Sequence, residues 1–392
     1  MKTYKWFFLI LAAGVFTACS NDSEEPLLGN WTIMSTMDGS DRGYAASFVL
    51  HVDGKEYGYV CGGRNAKNRF NDVWRYDCEL NRWTGMESFP DEFQLRSQAV
   101  GFACRGKGYV GTGWDGKENV MKDFWEFDPS AGTKGKWEEV APLPDEARER
   151  HSAVAFTLSI DGKEYGYVGT GYTEGEIPLT LKDFWKFDPE GTTIVKDEDD
   201  NVLKEYRGSW ELEDGNPGNK RWGASAFVIN NKAYICAGYS NSSRSLARDL
   251  LEFDPNTSGK WVEKRRMYDA EKDQDYDDDY LDLGRAFAAS FVMLGGDDGK
   301  EKGYLAVGVN KSTVWEYDPI EDLWEQRTTH YNNEYGNSKE GATAFSFPNA
   351  IHPAKGTLGR GFVCLGFRSG NPSDDNREFF PREEDNIRDD DK

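Results

Sequence analysis

The chain has 392 residues, a formal net charge of −22, 14% aromatic residues and 42 glycines. That length holds one large β domain or two average ones, and a hydrophobic share of 38% is low for a helical protein. The negative charge is spread along the chain, and a surface so acidic repels phosphate backbones, which excludes nucleic acid as an expected partner.

The N-terminus reads as an export signal. Lys2 and Lys5 precede an apolar run from Trp6 to Phe16 that is too short to span a bilayer, and small residues lead into Cys19. Residues 1–18 are therefore predicted to be a signal peptide, and Phe16-Thr17-Ala18-Cys19 resembles a bacterial lipobox, with Phe16 where Leu is usual. The resemblance implies that Cys19 is lipidated and becomes the first mature residue, with 19–26 as a polar tether. Ser20 after Cys19 argues against inner-membrane retention, and the early acidic residues resemble surface-export tethers of Bacteroidetes lipoproteins. The expected location is the outer membrane, reached through the lipid anchor only, with exposure at the cell surface. An uncleaved anchor, or an ordinary signal with an incidental cysteine, are the alternatives. Cys61, Cys78, Cys104, Cys236 and Cys364 remain; their odd number and the lack of any CxxC spacing point to buried thiols.

From residue 42 onward the chain repeats itself. Six segments read cation-x-x-Ala-x-small-Phe, starting at Arg42, Arg96, Arg150, Arg221, Arg285 and Lys339. Each is followed by an apolar run ending in glycine, at Gly63, Gly113, Gly171, Gly238, Gly308 and Gly366. Then comes an Asp-apolar-Trp run such as KDFWEFD at 122–128, and then a lone tryptophan: Trp83, Trp137, Trp210, Trp261 or Trp324. Short runs rich in Val, Tyr and Phe, bounded by Gly, Asp and Asn, predict strands. The unit is a four-stranded antiparallel meander, a to d, and six such sheets bury both faces by packing around an axis. The fold class is therefore all-β, a six-bladed propeller over 27–385 with an acidic tail at 386–392. The sixth unit lacks its last tryptophan, and Pro381 interrupts its third strand. Leu28-Gly29-Asn30-Trp31 lies 11 residues before Arg42, so the N-terminal strand is predicted to complete the last blade.

Glycine-ended second strands, D-x-W-x-[FY]-D and a final Trp at a period of about 50 residues resemble kelch repeats, and they cover nearly all of the predicted mature chain. Only the first unit keeps the Gly-Gly pair, at Gly62-Gly63, and Leu251 replaces Trp in the fourth. The resemblance implies a kelch propeller. That fold serves binding scaffolds, a copper oxidase and a sialic acid epimerase, so it does not choose a function.

In such a meander the d–a and b–c connections share one face. The cations Arg42, Arg96, Arg150, Arg221, Arg285 and Lys339 are then expected to ring one mouth of the channel. The residues that open the b–c loops there are Arg64, Trp114, Tyr172, Tyr239, Val309 and Phe367, four of them aromatic. Rings beside charged donors suit sugars and carboxylates. Two readings stand open for the cations: a ligand role for a subset, or pairing with Asp72, Asp123, Asp183 and Asp249 of neighbouring loops to stitch blades together.

Catalytic patterns are sparse. Copper chemistry needs converging ligands, whereas His51 and His352 are expected in a–b turns on the opposite face, and only His151 and His330 lie on the ring face. Asp273, Asp275 and Asp277 imitate half a calcium loop within the acidic stretch 269–279, but Asp278 stands where Gly is needed. The insertion 190–209 reads as a long c–d hairpin. The sequence thus points to a non-catalytic, monomeric, envelope-anchored binding or scaffold protein for a glycan or protein, without a cofactor. The alternative is a sugar mutarotase or epimerase resembling N-acetylneuraminate epimerase, with His151 and a carboxylate such as Glu149 as the acid–base pair.

Overall fold

Strands b and c are buried at consecutive positions, as in Gly108–Gly111 and Phe124–Phe127, so both faces of each sheet need a cover. The computed structural model describes residues 27–175, 178–240, 245–268, 280, 282–295, 299–329 and 338–384. The predicted signal, Cys19 and its tether, the 269–279 loop, His330 and the 386–392 tail lie outside them.

Blade 1 is Ala46–Val52, Lys55–Cys61, Val73–Asp77 and Arg82–Gly85. Blade 2 is Val100–Cys104, Lys107–Gly111, Phe124–Asp128 and Lys136–Val140. Blade 3 is Val154–Ile160, Lys163–Gly169, Phe184–Lys196 and Val202–Glu213. Blade 4 is Ser225–Ile229, Lys232–Cys236, Leu250–Phe253 and Trp261–Glu263. Blade 5 is Ala289–Gly295, Lys300–Ala306, Thr313–Asp318 and Leu323–Thr329. Blade 6 takes Thr343–Ile351, Leu358–Cys364 and Asn376–Glu384 from the C-terminal end and Leu28–Ile33 from the N-terminal end. All six sheets are antiparallel meanders, and their a strands touch in a closed circle. The chain is an all-β, six-bladed propeller.

A repeated packing joint holds neighbouring blades. The Phe of strand a stacks on the aromatic residue opposite it in strand b, as Phe48 does on Tyr59 with centroids 5.2 Å apart. Its other face lies over a glycine of the next blade: a Cβ at Gly108 would stand 2.2 Å from Phe48. The fit recurs with Phe102 on Gly166, Phe227 on Gly303, Phe291 on Gly361 and, closing the circle, Phe345 on Gly58. Blade 4 has Ala233 at this position, in one core cluster with Phe156. Burying each such Phe contributes about 2 kcal/mol.

Closure follows the same logic. Trp31 pairs with Phe379 across blade 6, with ring centroids 4.7 Å apart, and is buried. Ser35 then crosses to blade 1, where the Trp83 indole donates to its carbonyl at 2.9 Å. Arg360 of blade 6, itself paired with Glu378, donates to the Cys78 carbonyl of blade 1 at 2.6 Å. Pro381 does not end the third strand of blade 6, which runs from Asn376 to Glu384; the pairing instead slips between Leu28 and Asn30, the region that faces it. The insertion of blade 3 is the long hairpin expected, and its base leans on blade 2 through Lys204–Glu139 at 2.5 Å and Arg207–Glu126 at 2.8 Å.

Candidate functional site

The six repeated cations do not ring the mouth with free charge. Each precedes strand a, points into its own blade and is buried, Arg42, Arg150, Arg221, Arg285 and Lys339 at 0% exposure and Arg96 at 2%. Arg42 donates through Nε to the Ser40 carbonyl, through Nη1 to the Gly62 carbonyl, and as a fork to Asp72 at 2.5 and 2.8 Å. Arg96 with Asp123, and Arg150 with Asp183, repeat the pattern. Arg221 pairs with Asp249. Where blade 5 has Thr313 in place of Asp, Arg285 bonds its hydroxyl and its carbonyl instead. Lys339 meets Asp375 at 2.9 Å. The partners therefore belong to the same blade, not the neighbouring one, and the pairing ties strand c to the start of strand a.

Electrostatics agree with a structural part. Burial alone would raise the carboxyls of Asp72 and Asp183, but the hydrogen bonds and charge of Arg42 and Arg150, with the indole N–H of Trp74 and Trp185, hold both below the usual range. Removing such a guanidinium strands a buried carboxylate. Arg150→Ala is expected to lower unfolding free energy by about 3–5 kcal/mol in urea denaturation, while Lys339→Arg, which restores the fork of the other blades, should leave the midpoint unchanged or raise it.

Just after each cation comes a residue in the left-handed region: Tyr44, Gln98, Ser152, Gly223, Phe287 and Gly341, with φ between 52° and 61°. Their peptides form a closed belt around the channel. Tyr44 N–H donates to the Gly341 carbonyl, Gln98 to Tyr44, Ser152 to Gln98, Gly223 to Ser152, Phe287 to Gly223 and Gly341 to Phe287, at 2.8–3.1 Å. At the belt a cavity of about 150 Å³ is lined by Ala45, Ala99, Ala153, Ala224, Ala288 and Ala342. Beyond it a funnel of about 370 Å³ is lined by small and apolar residues of the a strands.

The mouth above the belt is aromatic. The b–c residues anticipated there exchange backbone bonds with the residue that follows each cation: Arg64 with Gly43, Trp114 with Ser97, Tyr172 with His151, Tyr239 with Trp222, and Phe367 with Glu340. This brings rings from successive blades together. Trp114 stacks on His151 at 5.5 Å, His151 meets Tyr172 at 5.6 Å, and Tyr172 meets Trp222 at 5.3 Å. Trp222 meets Tyr239 at 5.1 Å and Phe287 at 5.6 Å; Phe287 meets Tyr44 at 5.3 Å, and Tyr44 meets Phe367 at 5.6 Å. Arg64 lies 4.4 Å above Phe367, and Arg69 lies 5.7 Å from Trp114, which completes the circuit. Phe367 is itself covered, at 3% exposure, whereas Trp114, Tyr172, Trp222 and Tyr239 are half-buried. Val309 adds no ring to the circuit. Trp222, Phe287, Tyr44 and Arg69 were not anticipated; the signal for the first three is the variable positions beside each repeated cation, and Arg69 carries none.

His151 sits inside this circuit, at 3% exposure. Ser152 Oγ donates its one proton to Gln98 Oε1 at 3.0 Å, so His151 Nδ1–H donates to Ser152 Oγ at 2.9 Å. Nε2 then carries a lone pair, 3.5 Å from a Glu174 oxygen, and makes no hydrogen bond. Glu149 does not bond the imidazole; it accepts from the Thr173 hydroxyl at 3.2 Å. The anticipated His151–Glu149 pair is therefore not assembled, and Nε2 is sealed from solvent. His51 lies at the end of strand a in blade 1 and His352 in the a–b turn of blade 6, both away from the mouth. Burial pushes the His151 pKa down to about 4. Because the unfolded imidazole titrates near 6.5, the unfolded state binds the extra proton first as pH falls. Stability should therefore decline from about pH 6.5 towards 4, by up to about 3 kcal/mol from this group. Thermal unfolding of His151→Phe alongside the wild type, across that window, should show a shallower decline in the variant.

A Kelch motif is matched over residues 59–90, which span the end of strand b of blade 1, the b–c loop with Arg64 and Arg69, and strands c and d. No curated protein matches the chain. The chain is a six-bladed β-propeller that carries a kelch motif, an architecture that fits a non-catalytic binding or scaffold role.

Proposed function

We propose that this propeller is an envelope-anchored binding protein that takes a glycan on its aromatic mouth, with a lipid on Cys19 as the anchor. One observation carries the ligand reading: half-buried Trp114, Tyr172, Trp222 and Tyr239 stand on one face of three consecutive blades, ring against ring. Isolated exposed rings need no explanation, but a contiguous patch of them rimmed by polar groups marks a surface that is covered in use. Pyranose rings offer flat C–H faces to such a floor and hydroxyls to its rim, where Arg64, Glu174 and Glu340 supply charged donors and acceptors. The floor is rigid because every ring is seated on the hydrogen-bonded belt, so little ordering cost opposes binding.

The direct measurement is a glycan array probed with the full-length protein in detergent, followed by calorimetry on the bound oligosaccharide. Trp114→Ala is expected to weaken binding at least tenfold without shifting the melting temperature by more than a few degrees. Loss of binding to every glycan, with capture of a protein through the same face, would replace the ligand class; conversion of one anomer or epimer into another would replace binding with catalysis. For the anchor, Cys19→Ser should move the protein from the membrane fraction to the soluble fraction. Retention of the variant in the membrane would rule out this lipid attachment.

A further inference from the structure

The two arginines of the blade 1 b–c loop differ from the cations buried beneath them. Arg64 lies 4.9 Å above Tyr44 and 4.4 Å above Phe367, Arg69 lies 5.7 Å from Trp114, and the two residues are bridged backbone to backbone. A guanidinium has five N–H donors. Among the described residues, Arg64 gives only a long contact of 3.4 Å to the Asn65 carbonyl, and Arg69 gives its Nε–H to the Trp114 carbonyl at 3.2 Å. Neither forms an ion pair with a described carboxylate, although the chain carries 69 acidic residues against 47 basic ones. Asp115, whose charge acts on Arg69, is held by the N–H groups of Lys117 and Asn119 and by the Asn119 amide. Burial and the neighbouring charge of Arg64 together hold Arg69 below its ordinary pKa, as expected for two like charges brought close.

The blade 2 loop also makes room for the pair. A Cβ on Gly116 would stand 1.8 Å from the Arg69 guanidinium, and Gly116 has φ of +80°, so this loop is shaped around the arginine. Both arginines are half-buried: Arg64 lies over the Phe367 and Tyr44 rings, and the terminal nitrogens of Arg69 lie against Gly116 beside Trp114. A guanidinium is more weakly hydrated than an ammonium, and its rigid fork matches a planar, two-oxygen acceptor.

We propose that Arg64 and Arg69 form an anion subsite of the mouth, and that its glycan carries a carboxylate, as a uronic or other acidic sugar does. This rests on the glycan reading and narrows it: the carboxylate lies between the two arginines while the sugar ring extends over Trp114.

The test uses the full-length protein in detergent against uronic-acid oligosaccharides and the same oligosaccharides with their carboxyl groups reduced to alcohols. Acidic forms are expected to bind at least tenfold more tightly than the reduced forms. Arg64→Gln with Arg69→Gln should abolish that preference, so that the double variant binds acidic and reduced forms with one affinity. Gly116→Ala, which displaces Arg69 without removing its charge, should weaken the acidic forms several-fold, and Lys at both arginine positions should give only partial recovery. Equal binding of acidic and reduced forms, still sensitive to Trp114→Ala, would overturn the anion subsite and leave the aromatic floor standing. Binding of neither form anywhere on the array would overturn the subsite and the glycan reading together.

Discussion

The belt of six peptide hydrogen bonds around the channel is the constraint to which the rest of the molecule conforms. Each bond runs from the blade that follows to the blade before, as from Gln98 N–H to the Tyr44 carbonyl. A second set runs the other way, from the glycine that ends strand b to the carbonyl of the next blade's cation: Gly113 to Arg150, Gly171 to Arg221, Gly238 to Arg285, Gly308 to Lys339 and Gly366 to Arg42. The glycines have φ near +90° to +126°, a region costly to other residues, and a Cβ there would also strike the backbone opposite. The cation's side chain meanwhile fixes strands b and c of its own blade. One residue thus joins three segments of its blade to the blade before, which is why it recurs in every repeat and why it is unavailable to a ligand.

The fold was legible because these demands are periodic. A glycine after strand b and a Phe in strand a answer the same local geometry six times, an Asp two residues before a Trp does so in three blades, and the missing Trp of the last unit was answered by Trp31. Orientation was not legible. Topology places Arg150 near the mouth, but only the left-handed turn at Ser152 and the position of Asp183 turn the guanidinium inward. The partner was misassigned to a neighbouring blade for a related reason. A spacing of 27 to 33 residues from Arg to Asp is shorter than one repeat, so the chain is still within the same blade when it reaches the Asp. The Phe-on-glycine joints escaped notice because a glycine inside a strand reads locally as weakness, whereas here it receives a ring from outside its sheet.

The candidate site was legible only in part, for the opposite reason. Its residues break the repeat. The position after the cation reads Gly43, Ser97, His151, Trp222, Ala286 and Glu340, and the position after the strand b glycine varies from Arg64 to Val309. In a repeat protein the constant columns build the scaffold, and the varied ones beside them are released from that duty. Trp222 and Phe287 lie in such columns; Arg69 lies outside every column and could be found only once the loop was folded against Trp114.

The same division explains why recognition is assigned to the mouth rather than to the larger funnel. The funnel wall is made by the a strands, which crowd at the axis, with Glu301 as its one b-strand residue. Several of its hydroxyls are already engaged across blades: Thr157 with the Ala103 carbonyl, Ser290 with the Ala226 carbonyl, and Ser346 with the Val292 N–H. A wall built to hold six strands together has little freedom to vary towards a ligand. The loops above the belt carry no such load. They begin at fixed backbone positions, so a change of side chain at Trp114 or Arg64 alters what the mouth touches without altering how the blades meet. That separation lets a very acidic protein keep two guanidiniums without an ion-pair partner among the described residues at one place on its surface, because the belt, and not their charge, holds their loops in position.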